Sequence, residues 1–189
     1  EYSGSMLDCL NASYDLNNYL LHGKGRNVGC NIMLQKCAGA ITGWCSYTFT
    51  RARRTFNEEG HNHTYPANHE RPHELNAVMA WSTGKHLTIG ATFVFASGTP
   101  FTAPVSASIL NGNIIATYGK HNANRLGAYG RLDISVNYKW KPKHAKERGI
   151  NFSVYNATAH RNDLFYRIDK QRDGDFAVRP VSFMLDMLP

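Results

Sequence analysis

A chain of 189 residues, 42% hydrophobic and 19% charged, has the length and composition of one ordinary domain. It holds no run of about 18 or more apolar residues, which excludes a spanning helix. Its mean hydropathy of -0.42 does not exclude a β-barrel, which hides its apolar band in every second residue. The formal net charge of +7 raises nucleic acid as a partner, and Arg51, Arg53 and Arg54 form a compact basic cluster. That partner is set aside, because the other basic residues are scattered over turns and loops. The cluster continues a strand past its apolar stretch, where anionic lipid heads are the more natural neighbours.

The expected elements are strands, recognised by side chains that alternate between two faces with a period of two. Over residues 27–36, Val28, Cys30, Ile32 and Leu34 oppose Gly29, Asn31 and Gln35, with Met33 the exception. A turn at Ala38-Gly39 leads into 41–49, where Ile41, Gly43, Cys45, Tyr47 and Phe49 oppose Thr42, Trp44, Ser46 and Thr48. Residues 73–81 set Leu75, Ala77, Met79 and Trp81 against Glu74, Asn76, Val78 and Ala80. Residues 87–95 set Leu87, Ile89, Ala91, Phe93 and Phe95 against Thr88, Gly90, Thr92 and Val94. The pattern is cleanest over 131–140, with Leu132, Ile134, Val136, Tyr138 and Trp140 opposing Arg131, Asp133, Ser135, Asn137 and Lys139. A weaker strand is expected over 150–156, and a partial seventh over about 178–185.

A half-buried strand in a soluble sandwich alternates in the same way, so periodicity alone does not place the chain in a membrane. The connections carry more weight. Short links near 38–39, 82–85 and 141–148 alternate with long polar links at 57–71, 97–127 and 158–179. A transmembrane barrel has this alternation, with short turns on one rim and long outside loops on the other. Trp81, Tyr138 and Trp140 fall on the apolar parity beside short turns, where a girdle of rings at headgroup level is expected.

Four cysteines at 9, 30, 37 and 45 have no zinc-finger or CxxC spacing and are read as small hydrophobes, with a Cys30–Cys45 bridge left open pending the register. His61, His63, His69 and His73 crowd one loop and the strand after it. Imidazoles in that pattern suit a transition metal, but no Cys or paired acid completes a ligand spacing, so a solvated loop is preferred and no metal or cofactor is expected. No G-x-S-x-G elbow, phosphate-cradling glycine loop or H-E-x-x-H motif is present, and the chain is not read as an enzyme. Arg131 and Asp133 share the wet face two residues apart, as an ion pair would.

The run Gly43-Trp44-Cys45-Ser46-Tyr47-Thr48 followed by Arg51-Ala52-Arg53-Arg54 resembles a "GWxSYTxxRxxR" strand near the carboxyl end of TonB-dependent outer-membrane receptors of the Bacteroidota type. In the same order, Arg71-Pro72-His73-Glu74-Leu75-Asn76, preceded by Tyr65-Pro66-Ala67, resembles that family's "RRHDLN" strand entry. Ser97-Gly98-Thr99-Pro100 resembles a "GTG/SGxP" strand exit, Tyr129-Gly130-Arg131-Leu132-Asp133 a "YxRLD" strand, and Phe152-Ser153-Val154-Tyr155-Asn156 an "FxVYN" strand. The likeness covers residues 23–189 and is specific by order more than by any one motif.

The resemblance implies a plugged barrel of about 22 strands that imports a scarce ligand, such as a siderophore, metal complex, vitamin or glycan, with energy relayed by the TonB complex. It implies the outer membrane as location and a surface lipoprotein as a further partner. The chain is then expected to be an all-β, antiparallel stretch of about six to seven strands from the C-terminal part of the barrel. Residues 1–23 would be an outside loop and 24–189 barrel strands, with the plug and the final strand outside the sequence and the export signal removed or upstream. Six or seven strands leave two raw edges, which lipid does not tolerate, so neighbours are expected from elsewhere in the polypeptide or another chain.

On this reading Val28, Ile32, Leu34, Phe49, Leu75, Phe93, Phe95, Leu132, Ile134 and Val136 face lipid. Asn31, Gln35, Thr42, Ser46, Thr48, Glu74, Asn76, Thr88, Thr92, Arg131, Asp133, Ser135 and Asn137 line the lumen. Ligand capture belongs to the loops, with His61, His63, Tyr65, Phe101, Asn111, Asn113 and Tyr118 as the candidate side chains. The other readings are a passive porin-like small barrel and a soluble β-sandwich binding protein.

Overall fold

The computed structural model describes residues 22–58, 61–110, 113–141, 146–170 and 176–182. Among them no helix occurs. The strands in chain order are β1 (Gly23–Lys36), β2 (Ile41–Glu58), β3 (His61–Pro66), β4 (His73–Thr83), β5 (Leu87–Ala96), β6 (Pro100–Phe101), β7 (Pro104–Leu110), β8 (Asn113–Tyr118), β9 (Asn124–Arg125), β10 (Tyr129–Trp140), β11 (Arg148–Val154), β12 (Asp163–Lys170) and β13 (Phe176–Ser182).

The main sheet runs β1-β2-β4-β5-β10-β11, every pair antiparallel, so successive long strands are neighbours and the chain meanders across the sheet. These are the six strands expected from the alternating pattern. Two of the short turns are made by glycines with left-handed backbone, Gly39 at φ +101° and Gly84 at φ +72°, a conformation other residues adopt at a cost.

Directly opposed residues of an antiparallel pair share a face, so the register decides whether the separate apolar stripes merge. They do. Leu34, Cys45, Ala77, Phe93 and Leu132 stand in one row across β1, β2, β4, β5 and β10. Ile32, Tyr47, Leu75 and Phe95 form the row toward the long loops. Ile41, Trp81, Ile89, Val136 and Phe152 form a row near the short turns. The other face carries rows such as Gln35, Trp44, Val78, Thr92 and Asp133, and Met33, Ser46, Asn76, Val94 and Arg131.

No described element covers the apolar face. Leu34 is 72% exposed, Ile150 64%, Phe152 60% and Ile32 57%, whereas the apolar side chains buried among the described residues are small, Ala52, Ala67 and Ala96 together with Pro100. A water-soluble domain of this size would bury its large aliphatic and aromatic side chains first. Here they stay exposed on one face of the sheet. A hollow of about 490 Å³ lies against the opposite face, lined in part by Thr88, Thr92, Asp133, Ser135, Asn137 and Ser153.

The structure departs from the sequence expectations at several points. No barrel is closed: among the described residues β1 pairs only with β2, and β11 only with β10, so the wall has two open edges. The expected seventh wall strand does not join the wall, because Phe176–Ser182 instead pairs with β12 as a separate hairpin. The remainder of that expected strand, 183–185, and most of the expected outside loop 1–23 lie outside the described residues. The long links are not plain loops. β2 continues to Glu58 because β3 folds back on it, with Arg53 opposite Pro66 and Glu58 opposite His61, and β7 with β8 forms a second hairpin within 97–127.

Candidate functional site at the long-loop rim

The buried polar residues mark where the long connections are tied to the wall. Glu70 is 1% exposed, and its carboxylate accepts a hydrogen bond from the buried Ala52 N–H at 3.1 Å and pairs with the Arg125 guanidinium. Arg125 also donates to the carbonyls of Glu70 (3.2 Å) and Gly98 (3.1 Å). A buried carboxylate is tolerable only when so satisfied, and this one joins β2, the β3–β4 link and both ends of the β5–β10 link.

Asn122 makes a second knot beside it. Its backbone is left-handed at φ +52°, its amide donates to Pro66 O (2.8 Å) and Asn68 Oδ1 (2.6 Å), and its N–H donates to Thr102 Oγ1 (3.0 Å). The edge of the His121 ring meets the Tyr65 ring at 4.4 Å, and Tyr65 stacks on Phe56 at 5.9 Å. Gly98 completes the contact, since a Cβ there would sit 1.8 Å from Leu126 O.

Next to these knots a cleft of about 330 Å³ opens at the long-loop rim. Its walls come from Arg71, Ser97–Thr99, Leu126–Gly127, the β10 residues Tyr129 and Arg131, the segment Tyr155–Asn156, His160, and Asn162 to Leu164. Arg131 is fixed within it: Nε lies 3.0 Å from Asp133 Oδ2, Nη1 donates to Tyr155 Oη at 2.9 Å, and the guanidinium sits 4.7 Å over the Tyr155 ring. The ion pair expected from spacing alone is therefore formed, on the wet face.

β11 ends at Val154, opposite Ile134, while β10 begins at Tyr129, and side chains complete the strand edge left between them. Asn162 accepts from Gly130 N–H at 2.8 Å and donates to Gly130 O at 3.1 Å, imitating a neighbouring strand. The Asn156 N–H donates to Asp133 Oδ1 at 3.0 Å from a left-handed backbone of φ +53°. His160 Nε2 lies 3.2 Å from Ala128 O, and Asp163 accepts from Ser182 Oγ at 2.9 Å. The result is a walled cleft presenting guanidinium, phenol, amide and carboxylate groups, suited to gripping a polar ligand through several hydrogen bonds.

The lumen candidates Glu74, Asn76, Arg131, Asp133 and Asn137 share one face in the register, and the Asn76 amide donates to Glu74 Oε1 at 3.4 Å. The girdle candidates share the other. Trp81 is 44% exposed between Ile41 and Ile89, and Tyr138 stacks on Trp140 at 5.9 Å.

The loop candidates are dispersed. Tyr65 is taken up in the Phe56 and His121 contacts, Phe101 stacks on Tyr166 at 4.6 Å, Tyr118 is exposed opposite Pro104, and His63 is exposed opposite Phe56. None of these four lines the cleft. Asn111 lies outside the described residues, and His61 and Asn113 are placed by backbone only, in β3 and β8.

Among the described residues no three His, Cys, Asp or Glu side chains gather to hold a metal. His73 instead meets Tyr47, with Nδ1 at 2.8 Å from the phenol oxygen. The Cys30–Cys45 bridge left open by sequence is ruled out by register: Cys30 faces Phe49, Cys45 faces Leu34, and both are free thiols.

Glu70, Asn122, Arg125, Asn156 and Asn162 were not legible as site residues, because their partners lie far along the chain. The left-handed asparagines carry a weak local signal, since Asn visits that region more readily than most residues. Compared with family models, with curated proteins and with solved structures, the chain matches none.

Proposed function

We propose that this chain is part of the wall of an outer-membrane β-barrel that imports a scarce polar ligand with energy relayed through TonB. The observation that supports a membrane wall is the merged apolar face, several side chains wide and uncovered by any described element, on a sheet whose other face is polar. In water such a face would drive aggregation, and in a bilayer it is the matched surface.

The dimensions agree. From Leu87 to Phe95 the apolar parity of β5 spans eight steps, about 27 Å at ~3.4 Å per residue, or roughly 21 Å of bilayer normal at a tilt of ~40°. That is close to the apolar band of outer-membrane barrels, about 25 Å tall. The open edges at β1 and β11 require strands from the rest of the barrel or another chain, since unpaired backbone groups are costly in lipid.

The import function and the TonB partner rest on the ordered motif resemblance around Gly43–Arg54, Arg71–Asn76, Tyr129–Asp133 and Phe152–Asn156. On this reading the rim cleft around Arg131, Tyr155 and Asn162 contributes to ligand capture, the polar face braces a plug, and a surface lipoprotein can lid the long loops. A soluble sandwich would need a second sheet over the apolar face, and no described element lies there.

Cysteine labelling of intact cells making the full-length protein tests the topology. With the native cysteines replaced by serine, a membrane-impermeant maleimide should label Lys120→Cys in a long connection. It should reach Lys85→Cys in a short turn only after the outer membrane is opened. Equal labelling of both in intact cells overturns the wall. Ligand uptake that persists undiminished in cells lacking TonB would leave a passive barrel in place of an importer.

A further inference from the structure

We propose that the outward face of β1 and β2 carries a binding site for the phosphate groups of an outer-leaflet lipid, formed by Arg26, Arg51 and Arg53 just beyond the apolar band. This rests on the membrane-wall reading and adds a specific ligand class to its outer surface. The sequence cluster Arg51, Arg53 and Arg54 is divided by the pleat. Arg54 turns to the polar face, where it donates to Asn27 Oδ1 at 3.0 Å, while Arg26 joins Arg51 and Arg53 on the outer face.

In the register Arg26 stands directly opposite Arg53, and Arg51 directly opposite Val28. Like charges directly opposed across a strand pair repel, so this arrangement is favourable only if an anion lies between them. None comes from the described protein: the outward positions of β1, β2 and β3 hold no carboxylate, and none of the three arginines belongs to an ion pair among the described residues. The Arg53 Nε is shielded from solvent and has no hydrogen-bond partner there.

The space for the anion exists. A cavity of about 590 Å³ is lined by the three arginines together with Val28, Phe49, Thr55 and Thr64, and the two threonine hydroxyls lie 2.9 Å apart. Its chemistry is graded: guanidinium and hydroxyl groups toward the long-loop rim, then Val28 and Phe49, then the exposed aliphatic surface of Ile32 and Leu34. Guanidinium groups grip phosphate through paired charge-assisted hydrogen bonds. A phosphorylated glycolipid with several acyl chains matches both halves, whereas free phosphate matches only the upper one.

The test uses the full-length protein in nanodiscs and native mass spectrometry, with diphosphorylated lipid A, its dephosphorylated form and inorganic phosphate as probes. Wild type should retain the phosphorylated lipid about tenfold or more over the dephosphorylated one, as charge-assisted contacts require, with no competition from millimolar phosphate. Arg26→Gln/Arg51→Gln/Arg53→Gln should abolish that preference, and the single exposed change Arg26→Gln should weaken it in protein of unchanged heat-modifiable mobility. Lys85→Gln/Lys141→Gln, at the opposite rim, should leave it intact. Equal retention of the two lipids, or full displacement by inorganic phosphate, overturns the lipid site while the membrane wall stands. Failure of the wild type to enter the nanodisc overturns both.

Discussion

Placing an arginine at Ile134 separates a lipid-facing surface from a protein-facing one. Ile134 lies on the uncovered face between Ala91 and Val154, four residues from the girdle position Tyr138. Four steps are about 14 Å along the strand and about 10 Å of bilayer normal at a ~40° tilt, near the middle of a band about 25 Å tall. An arginine at that depth of a barrel's lipid face costs about 2–4 kcal/mol, which lowers the folded-to-unfolded ratio about 30- to 900-fold. Thr92→Arg is the matched control, at similar depth on the opposite face and directly across from Asp133. There the guanidinium meets water and a carboxylate, and the expected cost is under about 1 kcal/mol. Val28→Arg, at the edge of the band, should cost about 0–1 kcal/mol for its depth, because that penalty fades toward the interface, and up to about 1 kcal/mol more for facing Arg51 across the pair. The assay is urea-dependent folding of the full-length protein into liposomes, read by heat-modifiable mobility and tryptophan fluorescence. Equal losses at positions 134 and 92, or equal losses at 134 and 28, would refute the assignment of this face to lipid.

Glu70→Ala removes the buried carboxylate that holds Arg125 and the Ala52 N–H; because Arg125 is about one-third exposed and can turn to water, a loss of about 2–3 kcal/mol is expected, appearing as faster proteolysis within 97–127 with the wall strands still protected. Gly98→Ala should loosen the same region, since its Cβ would fall 1.8 Å from Leu126 O, and ligand affinity should drop with no change in membrane insertion. In a Cys9→Ser/Cys37→Ser background, Leu34→Cys places a thiol directly opposite Cys45, so oxidation should form a β1–β2 disulfide seen as a mobility shift under non-reducing conditions, whereas the same background with Leu34, where Cys30 is opposite Phe49, should form none. Gly84→Ala should cost about 1 kcal/mol, because φ +72° strains any residue with a Cβ even though the space around it is open; an unchanged unfolding midpoint would show that the turn relaxes freely.

The six long strands of the main sheet were legible because each carries its own alternation and is bounded by turn residues, and the outcome is local: Arg131 to Trp140 reads as a strand whatever its neighbours are. The Arg131–Asp133 pair was legible for the same reason, being two residues apart on one face. The clamp of Glu70 on Arg125 was not, since it joins residues 55 positions apart with no shared pattern. The candidates Tyr65 and Phe101 were read as free loop side chains, yet both are consumed by stacking on Phe56 and Tyr166. The hairpins inside the long links carry no such local mark: β3 is short and polar and is a strand only because it folds back on β2, and β7 and β8 are short segments that pair only with each other.

By itself the sequence determined which residues share a face within each strand, since a period of two is a property of the extended backbone, and which connections are short or long. Only the tertiary structure decided that the apolar stripes of separate strands merge into one uncovered face, that Arg26 of the neighbouring strand joins Arg51 and Arg53, and that Cys30 and Cys45 never meet. The reason is register: sliding one strand by a residue exchanges its two faces, and what fixes that slide is the set of cross-strand contacts, which no single strand contains.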